Sequence, residues 1–183
     1  MTVPEAATTE DVPVDTPVAS AAWTAEQVAS ELREAYLAVA AAAALLERTS
    51  DGSAHPALRQ ARRCGEDALD LASHAEHLLG QGIQGLHDRL GRVDVTSVGR
   101  VAGALTASRT QLGEATERVA GLPDRLRVAG QRLRDTDEPD LATEGVTGQW
   151  SRAAEQLGLM AVSLTGAVAA LASYTDDLTG TTS

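Results

Sequence analysis

The chain has 183 residues, a net charge of −11 and a sequence pI of about 4.7. An acidic balance of this size lacks the basic face that phosphate neutralisation requires, which argues against nucleic acid as a partner. Aromatic residues make up 2% of the chain and phenylalanine is absent, so the core must be built from Ala, Leu and Val. Burying a Leu or Val is worth roughly 1.5–3 kcal/mol and an Ala far less, so stability has to be collected over long helices. All 15 basic residues are arginine, a codon-level bias expected of a high-GC, actinobacterial genome. The single cysteine, Cys64, excludes an internal disulfide framework and reads as a small core residue.

Residues 1–22 hold Glu5, Glu10, Asp11 and Asp15, interrupted by Pro4, Pro13 and Pro17, with no basic residue. This composition predicts a disordered acidic segment. The first residues show neither the basic nor the apolar stretch of a secretory signal. Thr24 then reads as a helix N-cap, with Gln27 completing a capping box and Trp23 packing on Val28 as a hydrophobic staple. Ala25, Val28, Leu32, Ala35, Val39, Ala42 and Leu46 recur at alternating spacings of three and four, which is one helix face. A turn over 49–53 ends this helix. Pro56 suits the first turn of a second, whose stripe is Ala57, Ala61, Cys64, Ala68, Leu71, Ala75 and Leu78. The short connection predicts an antiparallel hairpin over 23–79.

Gly80, Gly82, Gly85 and Gly91 break the pattern and predict a Gly-rich linker over 80–94, with a single helical turn at Ile83, Leu86 and Leu90. A second hairpin occupies 95–178. Its first helix keeps the same rhythm from Val98 and Val101 through Leu105, Leu112, Val119 and Leu126 to Leu133. Pro123 lies inside this run and removes a backbone donor, so a kink is expected there. Residues 135–148 read as a polar loop. Beyond it, Trp150, Ala153, Leu157, Met160, Leu164, Ala167, Leu171, Tyr174 and Leu178 fall on one face. The fold class expected is all-α: two antiparallel helical hairpins forming a four-helix bundle or an elongated coiled-coil-like array. Residues 179–183 read as a short tail.

Three features could carry chemistry or a partner. Asp67, Asp70, His74 and His77 share a strip of the second helix at spacings that suit a metal, although an amphipathic helix has such a solvated flank without one. Arg118, Arg125, Arg127, Arg132 and Arg134 gather towards the end of the third helix, where cations complement the helix dipole. They could also receive an acidic partner, the N-terminal segment in cis among the candidates. Residues 156–175 carry no charge over twenty positions, long enough to span a bilayer. Gly158, Ser163, Thr165, Gly166 and Ser173 interrupt that run, so a buried bundle helix is the reading favoured over a membrane span. Finally, no nucleophile–base constellation, Gly-rich phosphate loop, catalytic carboxylate pair or Cys-x-x-Cys is present, so neither an enzyme activity nor a cofactor is expected.

From about Val95 to Leu178 the layout is a striped helix, a Gly-containing polar segment from Gly145 to Gly148, then Trp150 and an Ala/Leu helix ending near Tyr174. This resembles the Trp-x-Gly helical-hairpin superfamily associated with type VII secretion. The resemblance implies a hairpin that dimerises, often with a partner hairpin, into a four-helix bundle, and in some members export without a signal peptide. The sequence departs from the family at Trp150-Ser151-Arg152, which lacks the motif's glycine. Tyr174 is followed four residues on by Leu178 where the family has an acidic residue.

These readings converge on a non-enzymatic helical interaction module whose partner is another helical protein or a second copy, cytoplasmic or exported without a signal peptide. Trp150, Leu157, Met160, Leu164, Leu171 and Tyr174 are the residues expected to carry interhelix packing. A self-associating structural coiled coil and a helical metal-binding protein are the two alternatives.

Overall fold

In a computed structural model, which describes residues 16–49, 56–91, 97–135 and 141–180, each of the four apolar stripes becomes one long helix. These are α1 (Thr16–Thr49), α2 (Pro56–Leu90), α3 (Val98–Arg134) and α4 (Leu141–Thr179). At 1.5 Å per residue each runs roughly 50–60 Å. Helix α1 packs on α2 and α4, and α3 packs on the same two, so the four close into a bundle. The two hairpins therefore share one core, and the elongated array is not formed.

Neighbouring helices run antiparallel, and side-chain pairs record the register. Glu26 of α1 meets His87 near the end of α2 at 2.6 Å. Further along α1, Arg33 engages Glu76, and Glu47 lies 3.6 Å from Arg62 near the start of α2. Between α2 and α3, Gln111 donates to Gln81 at 3.3 Å. All four helices contribute to a central layer that includes Leu32, Val39, Ala68, Ala72, Leu122, Leu126 and Leu157.

Three boundaries differ from the sequence reading. Helix α1 starts at Thr16, so residues 16–22 belong to the bundle, and the acidic segment 1–15 lies outside the described residues. Pro17 sits in the first turn, where its missing N–H is needed by no carbonyl. Val18, Ala21 and Ala22 are buried, and that burial carries the helix past the expected cap. Thr24 is therefore internal, its hydroxyl donating to the Ser20 carbonyl at 3.0 Å, and Trp23 is 63% exposed and forms no staple.

The second difference is the Gly-rich stretch, which is helical as far as Leu90. Gly82 and Gly85 face α3 at close approach. A Cβ on Gly82 would stand 2.8 Å from Leu112 Cδ2, and one on Gly85 would stand 2.3 Å from Ser108 Oγ. Glycine costs a helix about 1 kcal/mol against alanine, and the close α2–α3 packing offsets that penalty. Helix α3 starts after Ser97, which caps it by accepting the Arg100 N–H at 3.3 Å.

Thirdly, α4 begins at Leu141, so residues 141–148 of the expected loop, Gly145 and Gly148 among them, are helical. Helix α3 runs through Pro123, which is buried; its ring leaves the Val119 carbonyl without its i+4 donor. Residues 50–55 and 136–140, including the expected turn after α1, lie outside the described residues. So do 181–183, while Thr179 ends α4 and Gly180 follows with φ of 69°.

Candidate functional site

Helix α4 carries two stripes on opposite sides. The inner one includes Val146, Trp150, Ala153, Leu157, Met160, Leu164, Ala167 and Leu171, all buried. Of the six residues expected to carry packing, Trp150, Leu157, Met160, Leu164 and Leu171 thus lie inside the chain's own core, and Tyr174 is half-buried against it. Trp150 reaches across to α2, where a Cβ on Gly65 would stand 3.3 Å from its ring. Its indole N–H is buried without a hydrogen-bond partner. The position is set by α4's early start. Trp150 stands nine residues inside the helix, and Gly145 and Gly148 before it are helical.

The outer stripe was not anticipated. Arg152, Glu155, Leu159, Val162, Gly166, Ala169, Ser173 and Asp176 follow alternating spacings of three and four, and all are exposed. Leu159 and Val162 are the most exposed large apolar residues described, at 71% and 70%. Such spacing is the heptad seam by which one helix lies along another at a shallow angle. Its middle, from Leu159 to Ser173, carries no charge. The signal was available in the uncharged run 156–175. Its outer half is built of Gly, Ala and Ser and does not register as an apolar stripe. By length and composition α4 could also cross a membrane, but in this fold its inner stripe is packed on the other helices.

The remaining candidates resolve as follows. Asp67, Asp70, His74 and His77 are spread along α2 rather than converging. His74 Nδ1 bonds the Asp70 carbonyl at 2.9 Å, and His77 Nε2 lies 2.9 Å from the Gln81 amide. Among the described residues no group of three or more His, Cys, Asp or Glu is placed to hold a metal. Arg127 pairs with Asp124 at 2.8 Å and Arg118 lies 3.8 Å from Glu114, both within α3. Because α1 and α3 run parallel, Thr16 is at the end of the bundle opposite Arg132 and Arg134. The acidic segment that joins there would need some 50 Å to reach them, the full extension of about fifteen residues.

An open groove of about 950 Å³ lies along the α2–α3 pair. Gln81, Gln84 and Gln111 wall it, Arg89 and Arg100 stand at one end, and Ala104 and Ala107 supply apolar lining. Glu76 on its rim is engaged by Arg33, and Asp88 accepts from Gln84 at 2.8 Å. Gln111 donates to Gln81, so all three glutamines already have partners.

Comparison with known proteins adds no relative: no protein-family model matches the chain, nor does any curated protein or solved structure.

Proposed function

We propose that this protein is a non-enzymatic helical interaction module that docks another helix along the outer seam of α4. The observation that supports the reading is the exposed heptad stripe centred on Leu159 and Val162, uncharged from Leu159 to Ser173, on a helix whose opposite face is committed to the core. Small residues at Gly166, Ala169 and Ser173 let a second helix come close, as in other helix pairs built on small side chains.

The test is the mass of the native particle. The full chain, kept at its natural level in its own cells, is expected in a particle heavier than one chain. A Leu159→Glu/Val162→Glu variant with unchanged helicity is expected at the mass of one chain. Equal masses for the two would overturn the reading.

A further inference from the structure

We propose that the helix docked on the outer seam of α4 is the same helix of a second copy, laid antiparallel across a two-fold axis level with Leu164. The inference rests on the docking reading above and names its partner. In an antiparallel heptad pair, each layer sets one seam position against the other kind from the partner chain. Under a two-fold, a contact from one residue to another is repeated in reverse. With the axis at the level of Leu164, Val162 falls opposite Gly166 of the second copy, and Leu159 opposite its Ala169. Each large side chain meets a small one, and both layers are made twice.

The outer layers agree with this register. Glu155 falls opposite Ser173 of the second copy, and Arg152 opposite its Asp176. Arg152 is the one basic residue of α4, and within a single chain neither it nor the Asp176 carboxylate makes an ion pair among the described residues. The seam is thus shape-complementary to itself at its centre and charge-complementary to itself at its ends. Asp177, next in sequence, adds a further carboxylate near the same arginine. Because a seam of one helix per chain is small beside a standard-sized interface, the measurement runs from the chain's natural level up to high micromolar.

The experiment is sedimentation equilibrium of the purified full chain and three variants across that range. The wild type is expected to move from one to two chains with concentration. Arg152→Asp and Asp176→Arg each place like charges in both outer layers and are expected to weaken the dimer by about tenfold. The double variant carrying both changes restores two opposite-charge layers and is expected to recover wild-type association. A wild type that stays monomeric at every concentration would overturn the second-copy inference. The docking reading would then stand or fall separately on the native particle mass described above. Failure of the double variant to recover would rule out this register.

Discussion

Trp150 sets the largest single-residue expectation. Its ring is fully buried against Gly65, and its N–H has no partner, a loss of about 1–3 kcal/mol relative to a satisfied group. Trp150→Ala should cost about 3–5 kcal/mol by leaving a cavity between α4 and α2. Trp150→Phe removes the orphan donor while keeping most of the ring, and should cost about half as much or less. Urea denaturation of the three proteins checks the order; equal losses for Ala and Phe would show that ring packing is not what holds this site. The glycines divide in the same way. Gly82→Ala and Gly85→Ala place a methyl group into Leu112 and Ser108 and should destabilise the bundle. Gly103→Ala and Gly113→Ala meet nothing within 4 Å and should each stabilise by up to about 1 kcal/mol. Thermal melts that shifted all four in one direction would contradict the close α2–α3 approach.

At the scale of the element, the start of α1 and the outer face of α4 are the consequential features. Val18, Ala21 and Ala22 are as buried as any core residue, so removing residues 1–15 should leave the melting temperature unchanged, while removing 1–22 should lower it by several degrees. Calorimetry on the two truncations decides this, and equal melting temperatures would place the working start of the helix at the Thr24 cap. On α4, Leu159→Glu and Val162→Glu replace solvent-facing apolar groups and should change stability by no more than about 0.5 kcal/mol. That separation of folding from docking makes them the informative variants. The core stripes of α1, α3 and α4 were legible because each repeats large apolar residues at helical spacing, though Val98 is exposed. On α2 the buried line alternates with the expected one, through Gly65, Ala72 and Leu79, and leaves Ala57, Cys64, Leu71 and Leu78 half-buried. The helix ends were not legible, because Pro17 and the α2 glycines are local signals against helix that burial overrides. The outer seam was hidden because Gly166, Ala169 and Ser173 look like interruptions of an apolar run when they are in fact the small half of a second face.

At the scale of the whole molecule, closure of the ring means that each helix has two neighbours and no hairpin has a core of its own. Unfolding should therefore be a single cooperative transition, in which far-UV ellipticity and Trp150 fluorescence fall together; separated transitions would indicate two independent hairpins. The surface ion pairs Arg33–Glu76 and Arg62–Glu47 and the His87–Glu26 hydrogen bond are all more than a third exposed. They fix register more than they stabilise, so 0.5 M salt should move that transition little. Among the described residues, the α2–α3 groove and the outer face of α4 both have room for a partner. The groove's glutamines already bond one another, His77 and Asp88, whereas Leu159 and Val162 at the centre of the α4 seam face water. The most direct test is a photo-crosslinking residue at position 162, compared with one at position 88 in the groove, in the full chain within its own cells. The account predicts an adduct from position 162, of twice the chain mass, and none from position 88. An adduct from position 88 alone would contradict it and move the docking site to the groove.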